Sequence, residues 1–223
     1  MPTADTGSRK GVGYRLGHGL GRQLAHPHGW AGRAVGWMMG LANHRPNRVV
    51  INALELEPHH VLLDAGCGAG QALKLALRQC AKATGFDASP LMVAQAQARN
   101  RRDVTMGRLS LFGANFGKIP CADNRFDRIM ASNVAYFWDD FGVILCELDR
   151  VLKPGGRIVI YVTEAGSMQS WRFAQTGTHR LFDRQTLLEE LLSAVGERMT
   201  VTVDKVGISR HITGLVAVLD KRI

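Results

Sequence analysis

From residue 60 onward the apolar positions follow two alternating rhythms. Compact apolar runs bounded by polar or glycine residues, "HVLLD", "ATGFD", "VTMGRLSLF", "RFDRIMAS" and "RIVIYV", read as strands. Between them "GQALKLALRQC", "PLMVAQAQARN", "DDFGVILCELDRVL" and "DRQTLLEELLSAV" place apolar residues at helical spacing. Pro90 suits a first helical turn, Asp183 suits an N-cap, and "KPGG" stops the third of these helices. The last two runs, "MTVTVDKV" and "TGLVAVLD", are joined by a short connection, which predicts an antiparallel pair. Strands alternating with helices of about ten or more residues predict an α/β fold built on a doubly wound, mainly parallel sheet.

The first 46 residues do not share this rhythm. Residues 1–24 are rich in glycine and arginine and read as a loosely ordered arm. In "GWAGRAVGWMMGLANHR" the residues Trp30, Ala34, Trp37, Met38 and Leu41 fall on one helical face. Pro46 interrupts that helix, and "NRVVINALEL" reads as a second one. The expected division is a basic arm and amphipathic lid helix over 1–46, followed by one domain over 47–223.

Composition narrows the class. The chain has 223 residues, of which 46% are hydrophobic, enough for one sizeable core. No apolar run approaches the roughly 20 residues that span a bilayer, and the N-terminus lacks the apolar stretch of a secretory signal. Cys67, Cys80, Cys121 and Cys146 form no CxxC pair, so reduced thiols in a cytoplasmic protein are expected, and no metal site. Net charge is +9, concentrated at the front, where residues 1–54 hold seven Arg or Lys against Asp5 alone. That segment could meet an anionic membrane surface peripherally, or simply be a solvated arm.

The candidate chemistry begins at "VLLDAGCGAG", Val61–Gly70. Glycines at 66, 68 and 70 permit a tight exit from a strand and a close approach of ligand to backbone. The spacing is one residue short of the dinucleotide fingerprint, whose third glycine would fall at Gln71. Asp87 ends the second strand 21 residues after Gly66, where a carboxylate can accept hydrogen bonds from ribose hydroxyls and repel a 2′-phosphate. Asp64 beside the turn can pair with a ligand ammonium. A phosphate-free adenosine bearing an amino acid is S-adenosylmethionine, the expected cofactor.

These stretches, with "GFDASPLM", "IPCADNRFDRIMASNVAYFW" and "ELDRVLKPGGRIVI", resemble the seven-stranded S-adenosylmethionine-dependent methyltransferases. Within them the chain is similar to the group that includes the ubiquinone/menaquinone-biosynthesis enzymes, over about residues 47–220. The resemblance implies a seven-stranded sheet of order 3-2-1-4-5-7-6 with strand 7 antiparallel. It implies that Asp64, Ala65, Gly66, Cys67, Gly68 and Gly70 cradle the methionine part and that Asp87 binds the ribose. Ala88 and Met92 would line the adenine. The family often has Gly-Asp where this chain has Ala114 and Asn115; Asn115 can still meet the adenine amino group, and the Phe116 backbone N–H a ring nitrogen. Asn133 would lie nearest the methyl group.

Methyl transfer from a sulfonium needs alignment, and a base only if the nucleophile arrives protonated. Candidate bases are Tyr136, His179 and one of the N-terminal histidines; Tyr136 can instead set its ring against a cation. Phe137 and Trp138 read equally well as packing, and Cys67 as a small residue in the turn. Residues 1–46 and the segment after strand 5, with Met168, Trp171 and Phe173, are the candidates for closing over the acceptor, expected to be a small organic molecule. A phospholipid headgroup or quinone precursor at a membrane surface is the alternative. An RNA methyltransferase lacks support from any recognisable RNA-binding module or N/D-P-P-Y motif, and a non-catalytic binding module would not require Asp64, the glycines and Asp87 together.

Overall fold

The computed structural model describes residues 44–169 and 180–223. Its elements in chain order are α1 (His44–Ala53), β1 (Val61–Ala65), α2 (Gln71–Ala76), β2 (Lys82–Asp87), α3 (Pro90–Arg99), α4 (Arg101–Thr105), β3 (Leu109–Gly113) and β4 (Phe126–Ser132). They continue with α5 (Phe141–Val151), β5 (Leu152–Thr163), α6 (Ala165–Met168), α7 (Arg184–Val195), β6 (Met199–Ser209) and β7 (Ile212–Lys221). The strands form one seven-stranded sheet of order β3-β2-β1-β4-β5-β7-β6, as expected. β1 to β5 pair in parallel, and β7 runs antiparallel to both β5 and β6. The expected helical lid and the residues Trp30 to Leu41 lie outside the described residues.

The central strands are hydrophobic because both of their faces are covered. Leu63, Ile129, Ile158 and Ile160 face a cluster completed by α5 and α7, through Leu145, Leu148, Leu187 and Leu191. Leu62, Met130, Val159 and Tyr161 face the opposite cluster, completed by α1, α2 and α3. α1 begins before Pro46, contrary to the expected interruption there. Proline is tolerated because first-turn amides have no helical acceptor, and Pro46 is buried with Asn47, Val50 and Ile51. The far end of α1 is tied to the sheet by arginines: Arg157 Nη1 donates to Ala53 O (3.0 Å) and Arg128 Nε to Leu54 O (2.8 Å).

Two strand boundaries differ from expectation. "VTMGRLSLF" is not one strand: Val104 and Thr105 close α4, Gly107 turns the chain at φ +67°, and β3 starts at Leu109. The alternation was misleading because Val104 and Met106 are exposed, so only its second half reports a buried face. The helix before "KPGG" does stop, at Val151, but β5 begins at Leu152 and not at Arg157; its pairing jumps from Phe126↔Leu152 to Arg128↔Arg157 and absorbs the glycines as an irregularity. Asp183 does cap α7, accepting from Thr186 N at 2.8 Å. Among the described residues no helix is long and apolar enough to cross a membrane.

The loop before β4 is held by "ELDRVL". Arg150 pairs with Glu147 (Nη2–Oε1, 2.7 Å) and donates to Ile119 O and Cys121 O, both at 2.9 Å. Glu147 in turn accepts from Ile119 N at 2.7 Å, and the Arg150 guanidinium holds its carboxyl below the usual range. Arg150→Ala is expected to cost about 2–4 kcal/mol, since one change strands a carboxylate and two carbonyls. An undiminished urea midpoint would show that the loop is held otherwise.

Candidate active site

The sheet order reverses between β1 and β4, and the crevice beyond their carboxyl ends is where an open α/β sheet receives a ligand. The chain leaves β1 through three glycines with left-handed φ, at +79° (Gly66), +51° (Gly68) and +74° (Gly70). Phe86 O accepts from both Gly66 N and Cys67 N at 2.9 Å, which binds the turn to β2. Gly66 has no room for a side chain: a Cβ there would lie 2.5 Å from Val134 Cγ1. A Cβ on Gly68 would meet nothing within 4 Å. The first glycine is therefore demanded by packing, and the second faces open space.

Asp87 is locked at the end of β2. Its Oδ2 accepts from Gly68 N (2.9 Å) and its Oδ1 from Ser89 N (2.8 Å), so the two predicted cofactor features are one hydrogen-bonded unit. Asp64 is 2% exposed, and its Oδ2 has no hydrogen-bond partner among the described residues. Burial, and then the charge of Asp87, push its carboxyl up to about 8. Isolating a carboxylate in this way is costly unless a cation completes it.

The remaining predicted residues have different local settings. Ala65 is buried at the end of β1. Cys67 is buried, its thiol raised well above the ordinary value by burial, and it fills the turn as a small apolar group. After β2, Ala88 is exposed and Met92 is buried in the first turns of α3. Asn115 is exposed, while the Phe116 ring packs against Phe86 (5.1 Å between centroids) and Trp138 (5.5 Å). Trp138 is 1% exposed and also packs on Phe141, which decides for packing there; Phe137 is half-buried against Tyr136.

Asn133 follows β4 at φ +58°, a left-handed turn that asparagine tolerates better than most residues. Its Oδ1 accepts from the Tyr136 hydroxyl at 3.0 Å, and that hydroxyl also accepts from Thr163 N. Burial raises the phenol well above its ordinary pKa. A phenol so placed is a poor base, because ionising it would leave a charge in an apolar setting. His179, Trp171, Phe173 and the histidines before His44 lie outside the described residues; Met168, in α6, is buried.

Sequence reasoning missed two braces behind the turn. Asn100 Nδ2 donates to Gly70 O and Ala96 O, both at 3.0 Å, and Arg99 Nε donates to Ala69 O at 2.9 Å. Nothing local distinguishes "ARN" from an ordinary helix end. It also missed a cluster of potential metal ligands at Glu57, His59 and His60, within 4.8 Å of one another before β1. There His60 Nδ1 accepts from Glu57 N at 2.9 Å, a bond that shapes the turn.

Residues 63–160 match the family model described as a methyltransferase domain. The chain is 30% identical over 190 residues to an O-methyltransferase of Pyrenophora dematioidea, an alignment covering 82% of this chain and 69% of that protein. The chain belongs to the S-adenosylmethionine-dependent methyltransferases. Its fold is that of a Haloferax volcanii methyltransferase solved with the Trm112 activator, at TM-score 0.75 and 20% identity over 87% of this chain and 96% of that one. The fold also matches a Streptomyces coelicolor geranyl diphosphate C-methyltransferase solved with Mg2+, geranyl diphosphate and S-adenosyl-L-homocysteine. That likeness has a TM-score of 0.65 and 16% identity, over 79% of this chain and 76% of that one. The chain spans 54%, 43% and 47% of the length of three further curated relatives, about half of each. S-adenosylmethionine is the cofactor of this methyltransferase, and the residues fit it: the orphaned Asp64 oxygen calls for an ammonium, and Gly68 leaves the backbone open.

Proposed function

We propose that this methyltransferase transfers the methyl group of S-adenosylmethionine to a small organic acceptor by in-line displacement. The observation that carries the reading is the buried Asp64 carboxylate, unpartnered among the described residues, beside a glycine turn bonded to Asp87. The Pyrenophora relative is an O-methyltransferase, which supports an oxygen as acceptor atom. When bound, the cofactor supplies a methyl group already activated on a sulfonium. The protein's task is then chiefly alignment.

In this reading Asp64 holds the ammonium, with Ala65, Gly66, Cys67, Gly68 and Gly70 along the methionine chain. Asp87 holds the ribose hydroxyls; a carboxylate can accept about four hydrogen bonds, so its two backbone bonds do not bar them. Ala88, Met92, Asn115 and Phe116 border the adenine. Asn133 lies at the methyl group. Tyr136 acts as a positioning residue, joining Asn133 to the Thr163 amide. His179 keeps its place as the candidate base for a protonated acceptor.

Tyr136→Phe separates these roles. Losing the hydroxyl removes one hydrogen bond from Asn133 and strands the Thr163 amide, so kcat should fall by about tenfold. The KM for the cofactor and the shape of the pH profile should stay as they were. If one limb of the profile vanished instead, Tyr136 would be the base.

In the same reading, residues 1–46 and the segment 163–183 at the end of β5 close over the acceptor. Deleting residues 1–43, which leaves α1 whole, is expected to abolish turnover while S-adenosylhomocysteine affinity and thermal stability persist. Full activity of the truncated protein would dismiss the lid. The membrane-surface alternative rests on the same basic segment. The acceptor itself is found by incubating the full chain with S-adenosylmethionine and panels of hydroxylated small molecules, reading S-adenosylhomocysteine and the added methyl mass. No S-adenosylmethionine binding by calorimetry would refute the whole reading.

A further inference from the structure

A second cavity, of about 450 Å³, lies behind the cofactor turn between α2, α3 and α4. Its lining carries five cations, Lys74, Arg78, Arg99, Arg102 and Arg108, against one acid, Asp103. Arg108 is spent internally: it pairs with Asp103 at 3.5 Å and donates to Leu77 O at the end of α2. Among the described residues Lys74, Arg78 and Arg102 have no carboxylate partner, and all three are exposed. Cations converging on a concave space focus a positive potential that an anion relieves. Guanidinium forks suit phosphate oxygens in particular. The volume is that of a small-molecule site, whereas a nucleic acid or acidic protein surface would call for a longer stripe of charge.

We propose that this cavity binds a compact polyanion of the di- or triphosphate class and that its occupancy is coupled to the cofactor turn. The link is direct. Arg99 lines the cavity and donates to Ala69 O (2.9 Å), and Asn100 lines it and donates to Gly70 O (3.0 Å). An anion on Arg99 steadies its brace to Ala69 O and, through it, the turn. This second part rests on the cofactor reading above. Binding coupling is reciprocal, so cofactor and anion must change each other's affinity by the same factor.

The test is calorimetry of inorganic triphosphate with the full chain at fixed ionic strength, for the wild type and for Arg78→Glu/Arg102→Glu. Neither residue touches the turn. The expected result is 1:1 binding, weakened at least about tenfold in the variant by loss and reversal of two charges. Thermal melts confirm that the variant folds. Saturating triphosphate is expected to tighten S-adenosylhomocysteine binding several-fold. Undiminished triphosphate binding by the variant would place the anion on the basic N-terminal arm and overturn the proposal. So would binding of heparin without triphosphate, which marks an extended polyanion surface. Unchanged S-adenosylhomocysteine affinity would remove the coupling. Triphosphate binding without any S-adenosylhomocysteine binding would uphold the cavity and count against the cofactor reading instead.

Discussion

Asp64→Asn is expected to abolish useful cofactor binding while making the ligand-free protein more stable. Both effects come from one buried carboxylate oxygen with no partner among the described residues. Removing one member of a buried ion pair typically costs about 3–5 kcal/mol, so S-adenosylhomocysteine should bind roughly 150- to 5,000-fold more weakly. In the ligand-free protein the same substitution removes a group that burial opposes.

The pH dependence gives the sign. The Asp64 carboxyl stands at about 8 in the folded state, raised by burial and then by Asp87, against an ordinary aspartate value of about 4 in the unfolded chain. Its contribution to stability is present in full below the unfolded value, and is lost steadily as pH rises towards 8. The melting-temperature gap between Asp64→Asn and wild type should therefore widen over that range and then level. Cofactor affinity moves oppositely: pairing with an ammonium needs the ionised carboxylate. Wild-type affinity should fall about tenfold for each pH unit below 8, and the variant's should not. Thermal melts and calorimetry across that range check both. Flat wild-type affinity would mean that Asp64 does not hold the ammonium.

Gly66→Ala and Gly68→Ala should fail for different reasons, although both lie in the same turn with left-handed φ. At Gly66 the added methyl meets Val134 Cγ1 at 2.5 Å and Phe116 Cζ at 3.1 Å. Backbone strain of about 1–2 kcal/mol then adds to overpacking of about 1–3 kcal/mol. The urea midpoint should drop sharply. At Gly68 nothing lies within 4 Å, so only the backbone strain applies and the fold should survive. The methyl occupies the space where a ligand approaches the backbone, and affinity should fall at least about tenfold. Wild-type S-adenosylhomocysteine binding by Gly68→Ala, or equal stability of the two variants, would contradict this division.

How much of this was readable beforehand differs from feature to feature. The turn and Asp87 were legible because they are local: a strand exit without side chains and a carboxylate closing the next strand leave a spacing in the chain. The helix cap at Asp183 was legible for the same reason. "VTMGRLSLF" misled because alternation counts apolar residues and not burial, and half of those residues face solvent. The helix stop at "KPGG" was legible, but the start of β5 at Leu152 was not, because β4 pairing absorbs a glycine irregularity that local propensity reads as loop.

Pattern and spacing, being near-neighbour properties, were sufficient for the alternating architecture, the glycine exit and the identity of the carboxylates. The state of those groups was not theirs to set. Asp64 becomes a raised, orphaned acid only when two cores close on β1, and the Tyr136 hydroxyl is tied to Asn133 and the Thr163 amide only when β5 meets the exit of β4. Arg99 and Asn100 reach the turn from 30 residues away. Desolvation and long-range hydrogen bonding arise from packing, so they exist only once distant segments have met.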